Sequence, residues 1–210
     1  MAKLKARTNN PARTMSDIIA VATAEFADKG LSGGRIDTIA EQTKTSKRMI
    51  YYYFGSKEGL YIAVLEDAYR RIRSIEASLH LEDIEPLEAL KKLVSFTVDY
   101  HHSNPDFVRL IMNENIHYGE FLSQSKLIRN LNTPAIEAVK QVYKRGVASG
   151  VFRDGLEPVD IHMNISGMSF HAVSNQYTFG IIFNVDLTKP KAFEHRRASI
   201  VDTVLRFVQP

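Results

Sequence analysis

Apolar residues recur at three- and four-residue steps along nearly the whole chain, and that period favours helices over strands. Ile18, Ile19, Ala22 and Phe26 form the first stripe, which stops at Gly30, a residue suited to closing a helix. Ile36, Ile39 and Ala40 form a second, shorter face. Ser56 offers a hydroxyl cap to a helix running through Tyr61, Val64, Leu65 and Ala68. Asn104-Pro105, Thr133-Pro134 and Glu157-Pro158 each put proline at a first helical position, where its missing N–H leaves nothing unpaired. ASGVFRDGLEP, at 148 to 158, reads as a turn between two helices. FGIIFNV, at 179 to 185, has strand-like composition and reads as a helix end followed by a loop. The expectation is an all-α fold of about nine helices, three short ones and then a larger bundle.

A composition of 44% hydrophobic and 24% charged residues supports a real core. No run approaches the roughly 18 to 20 apolar residues that span a bilayer, so no membrane partner is expected. The start, MAKLKARTNNPART, is basic and polar, unlike a secretory signal. With no cysteine there is neither disulfide nor thiolate-metal site, and a cytoplasmic setting is expected. Charge divides unevenly. Residues 1 to 58 carry ten Lys/Arg against six Asp/Glu, a net +4, whereas the rest carries seventeen against eighteen. Such asymmetry suits one region meeting a polyanion while the other does something else.

The stretch TSKRMIYYYF, at 45 to 54, locates that region. At about 100° per residue, Ile50, Tyr53 and Phe54 share one face, fit to pack on Ile39 and Phe26. Lys47, Arg48, Tyr51 and Tyr52 fall on the other, with Met49 at the edge. A short helix entered by a tight turn from another is a helix-turn-helix, whose second helix enters the major groove. Arg48 has the planar fork that matches guanine O6 and N7. Lys47 and the phenols of Tyr51 and Tyr52 suit phosphate oxygens.

AEFADKG at 24 to 30, IA at 39 and 40, SK at 46 and 47, and YYYFGSKEGLY at 51 to 61 resemble the DNA-binding domain of the TetR family of transcriptional regulators. GVFRDGLEPVDI, at 150 to 161, is similar to the turn before that family's eighth helix. The resemblance implies three units: a flexible basic arm at 1–12, a helix-turn-helix domain at 13–56, and a helical effector-binding and dimerisation domain at 57–210. It implies DNA contacts from Thr45, Ser46, Lys47, Arg48, Met49, Tyr51 and Tyr52, and from Lys57 to a phosphate at the start of the fourth helix. Arg35 stands where the family more often has threonine and adds a candidate contact. Lys44 replaces the turn's usual glycine, so a differently shaped turn is expected there. The partners implied are a double-stranded DNA operator, a small-molecule effector and a second copy of the chain, in a repressor released from a palindrome.

In the larger domain, Ile161, Ile165, Met168 and Ala172 on one helix, and Ile200, Val204 and Phe207 on another, are the expected dimer faces. For an effector, Arg109, Asn113 and His117 lie four apart and are expected to point at an internal cavity reached by Phe170 or His171, with Phe96, Tyr100 and Phe107 as aromatic walls. No cofactor and no metal are expected: His101 and His102 are adjacent and diverge on a helix, and no pair has a recognised ligand spacing. The alternative is an all-α enzyme with His117 or His171 as general base. No phosphate loop or nucleophile elbow accompanies it, and it leaves the recognition stretch without a role.

Overall fold

The structure is a computed structural model describing residues 10–210. The described residues form ten α-helices, one more than the spacing suggests, and no strand. They are α1 (Pro11–Gly33), α2 (Ile36–Thr43), α3 (Lys47–Phe54), α4 (Lys57–Ala77), α5 (Pro86–Ser103), α6 (Pro105–Ile116), α7 (Lys126–Ala148), α8 (Pro158–Ser174), α9 (Gln176–Phe183) and α10 (Pro190–Val208). The basic arm expected over 1–12 lies outside the described residues except at its end, where Asn10 caps α1 and Pro11 is already helical. The Asn10 side chain accepts from Arg13 N at 3.2 Å, so the helical head begins earlier than residue 13.

Gly30 does interrupt the first helix. Its φ of 66° breaks α1, and one further turn follows to Gly33. Pro134 departs from expectation. It sits inside α7, whose start is capped instead by Ser125, accepting from Ile128 N at 3.2 Å. The turn before the proline is braced by side chains: Asn132 Nδ2 donates to Ile128 O and Thr133 Oγ1 to Arg129 O. A mid-helix proline still removes one backbone bond, which local packing must offset.

Two apolar clusters organise the chain. The first joins α1 to α4 with α6 and contains Ile18, Phe26, Ile39, Ile50, Tyr61 and Leu110. Burying a ring such as Phe26, fully inaccessible and edge-on to Tyr61, stabilises by about 2 to 3 kcal/mol. The second joins α5, α7, α8 and α10. Ile161, Ile165, Ile200 and Val204, expected at a dimer interface, are buried in this second core. Met168, Ala172 and Phe207 pack against it from its edge. The apolar side chains that α8 and α9 leave exposed are different ones: Val159, Met163, Tyr177, Ile181, Ile182 and Phe183.

Inside the head, Glu25 ties α1 to the start of α2. It is buried, receives Lys29 Nζ at 2.8 Å, and accepts the Arg35 N–H at 3.0 Å where α2 begins. Burial alone would raise its carboxyl, but the bonds from Lys29 and the Arg35 amide outweigh it and hold it below the usual carboxylate range. A depressed carboxylate stabilises the fold above the unfolded value, and that contribution fades as pH falls through the lower folded one. Glu25→Gln is therefore expected to cost about 1 to 2 kcal/mol at neutral pH, with the difference from the parent shrinking in acid. Urea denaturation across pH reads it directly; a gap that stays constant into acid would deny Glu25 this role.

Candidate nucleic-acid interface and ligand chamber

The turn between α2 and α3 keeps the left-handed form although its residue is lysine. Lys44 has φ 53° and ψ 35°, and its N–H bonds to Ala40 O and Glu41 O. A non-glycine residue in that conformation costs about 1 kcal/mol. Ser46 caps α3, its hydroxyl accepting from Met49 N at 3.3 Å, and Thr45 Oγ1 donates to Thr43 O. Both side chains thus hold the entry to the helix. Ile50 faces inward with no exposure, while Tyr53 and Phe54 pack half-buried on the same core.

The opposite face of α3 stands open. Arg48 is exposed, Tyr51 is 43% exposed and Tyr52 77%. Lys47 pairs with Asp37 of α2 across the turn. Met49 lies at the boundary, half-buried. Arg35 is exposed at the start of α2, its backbone fixed by Glu25. Lys57 is half-buried and donates Nζ to Ser32 O at 3.2 Å, joining the start of α4 to the last turn of α1. These side chains come from the start of α2, from α3, from the turn between those helices and from the start of α4.

The larger domain holds a chamber of about 690 Å³ bounded by α4 to α8. Phe107, expected as a wall, and Phe170, expected to reach the cavity, line it. The other expected residues lie elsewhere. Tyr100 borders a smaller neighbouring pocket of about 150 Å³, and His171 one of about 350 Å³ between α5, α8, α9 and α10. Phe96 packs between the two apolar clusters. The stripe of Arg109, Asn113 and His117 does not face the chamber at all. Arg109 Nε donates to Ala27 O at 3.0 Å and Asn113 Nδ2 to Phe26 O at 3.3 Å, while exposed His117 ends α6. The two carbonyls belong to the last turn of α1 before the Gly30 break, where oxygens need donors and a cation is favoured.

Polar residues missed by the sequence line the chamber instead: Arg73 and Glu76 of α4, His101 of α5, Asn132 of α7, His162 and Ser166 of α8. Arg73 pairs with Glu76 and donates Nε to Asn132 Oδ1 at 2.9 Å. Burial raises the Glu76 carboxyl against the pull of Arg73. Burial, with Arg73 second, pushes His162 down to about 4. The i, i+3 spacing of Arg73 and Glu76 is visible in the sequence, but identical spacings occur on solvated helices.

A helix-turn-helix head with an open cationic and phenolic face, carried on a helical body with its own chamber, defines a DNA-binding transcription regulator. Residues 18–64 match the description "Bacterial regulatory proteins, tetR family", and residues 86–204 match "Tetracyclin repressor-like, C-terminal domain". The chain belongs to the TetR family. It is 35% identical over 204 residues to the HTH-type transcriptional repressor NicS of Pseudomonas putida, covering 97% of this chain and 96% of that one. It is 31% identical over 146 residues to the HTH-type transcriptional regulator RutR of Escherichia coli K12, covering 68% and 64%. Two solved structures share the fold alone. A tetR-family regulatory protein from Rhodococcus RHA1 has a TM-score of 0.73 at 18% identity, covering 94% of this chain and 97% of that one. FadR from Bacillus subtilis, in complex with stearoyl-CoA, has a TM-score of 0.71 at 17% identity, covering 92% and 99%.

Proposed function

We propose that this regulator is a homodimeric repressor that leaves a palindromic operator when a small molecule occupies the chamber of about 690 Å³. The observation that carries it is the exposed face of α3, where Arg48 is available to a guanine and Tyr51, Tyr52 and Lys47 to phosphates. Arg35, Thr45, Ser46, Met49 and Lys57 flank that face and complete the contact set. The Lys47–Asp37 pair is exposed, so a phosphate displaces it at little cost. The name of the relative NicS as a repressor supports the sign of the effect.

Pairing is supported by the apolar side chains that α8 and α9 expose together, Val159, Met163, Ile181 and Phe183 among them. A monomer gains nothing from leaving them in water, and a two-fold partner covers them with the same residues. No helix among the described residues is long and apolar enough to cross a membrane; we place the protein in the cytoplasm, with the DNA it binds. The enzyme alternative loses its two histidines to other surroundings: His117 is exposed at the end of α6, and His171 lies outside the large chamber.

Helix α6 links the two activities. One of its faces, through Phe107 and Ile111, lines the chamber, while Arg109 and Asn113 on another hold the end of α1. A ligand that moves α6 therefore moves the head, and affinity changes by the ligand's preference between the two arrangements. Replacing Arg109 and Asn113 together by alanine is expected to speed amide hydrogen exchange near residues 30 to 34 by about tenfold, as a hydrogen bond or two is lost. Unchanged exchange there would uncouple α6 from the head. The function as a whole is tested by selecting bound sequences from random DNA with the full chain. A palindrome and a dimer by sedimentation are expected; a single half-site bound by a monomer overturns the proposal.

A further inference from the structure

His101 carries a polar atom that nothing in the fold satisfies. The residue is 4% exposed, lines the large chamber, and has no hydrogen-bond partner at Nδ1. Its ring lies along Phe107, 17° from parallel with centroids 5.7 Å apart, and meets Phe170 edge-on at 6.1 Å. The neighbouring charges, by contrast, are matched among themselves: Arg73 with Glu76 and Asn132. A buried polar atom left alone costs about 1 to 3 kcal/mol, so a site that keeps one is built for something that fills it.

The protonation state says what kind of group that is. Burial, and after it Arg73, push the imidazole down to about 4, against the pull of the Ser169 main-chain carbonyl, which favours the proton. The ring is therefore neutral near neutral pH, with a single N–H. The Ser169 carbonyl is the acceptor that favours a ring proton, and Nδ1 has no partner, so the one ring proton belongs on Nε2. Nδ1 is then a bare lone pair, an acceptor only.

We infer that the chamber takes a planar, uncharged molecule that donates an N–H or O–H to His101 Nδ1 and lies against Phe107 and Phe170, as a phenol, lactam or azole does. The inference rests on the proposed effector role of the chamber. A carboxylate sets its own lone pairs against Nδ1 and finds Arg73 already paired. A cation finds the chamber's carboxylate, Glu76, already held by Arg73. A donor on a flat ring answers both the orphan nitrogen and the aromatic wall, at the smallest desolvation cost.

Phenol, its O-methyl ether anisole, and benzoate separate these cases when titrated into the full-length protein and followed by NMR of the nitrogen-labelled imidazoles. Phenol is expected to bind about tenfold tighter than anisole and to move the His101 Nδ1 resonance, which anisole leaves in place. His101→Phe keeps the stacked ring and is expected to erase the difference. The resonance shift in the parent protein needs no variant, so a poorly folding replacement does not spoil the test. Equal binding of phenol and anisole overturns the inference, as does tightest binding by benzoate or a His101 resonance that no probe moves. Operator affinity measured in the same samples separates the two levels. Phenol held through His101 without any operator release counts against the effector role alone, and lack of phenol preference counts against the donor alone.

Discussion

Gly59→Ala is expected to lower stability by about 1 to 3 kcal/mol and to weaken operator binding at least tenfold, though Gly59 itself touches no DNA in the proposed complex. It lies in the first turn of α4, and its N–H bonds to the Ser56 cap at 3.0 Å. A side chain there would collide with the backbone carbonyl of Phe54, the last residue of α3. That carbonyl also accepts Ser56 N at 2.9 Å, so it cannot swing aside without breaking the junction. The relief available is for α3 to move against α4, which tilts Arg48 and Tyr52 together. Urea denaturation and operator titration measure the two effects. A variant of parental stability and parental affinity would mean that the junction does not set the recognition helix.

Arg48→Ala is expected to remove about 1 to 3 kcal/mol from binding to the preferred operator and to relax base choice at one position in each half-site. The guanidinium is the planar donor at the centre of the exposed α3 face, and the helix that carries it is anchored by Ile50 with no exposure at all. Tyr52→Phe serves as the contrast. The residue is 77% exposed, and losing a phosphate bond should weaken all sequences alike. Equal loss on operator and random DNA in Arg48→Ala would take base reading away from Arg48.

Much of the head was legible in the sequence. The division of TSKRMIYYYF into an inner face of Ile50, Tyr53 and Phe54 and an outer face of Arg48, Tyr51 and Tyr52 follows from a 100° step, which local backbone geometry enforces. Ser56 as a cap and proline at the starts of α6 and α8 were legible for the same reason: their partners lie within four residues. His101 and His102 do diverge, one buried in the chamber wall, the other stacked on Phe193 at 3.7 Å. That step still could not say which of the two turns inward.

The sequence by itself determined the helical class, the head with its exposed cationic and phenolic face, and the caps that begin its helices, because each depends on neighbours along the chain. Only the tertiary structure decided what each face meets. Arg109 and Asn113 form a polar stripe, yet the crossing of α6 over α1 gives that stripe to the Phe26 and Ala27 carbonyls rather than to a ligand. Ile161, Ile165, Ile200 and Val204 form apolar stripes, yet the packing of α5, α7, α8 and α10 turns them into the chain's own core and leaves Val159 and Met163 outside. The chamber draws Arg73, His101, Asn132 and His162 from four helices up to 89 positions apart in the numbering, and no periodicity links them. A helical period fixes the angle at which a side chain leaves its axis; the distance and direction of the next axis come from loops and long-range packing, which the period does not encode.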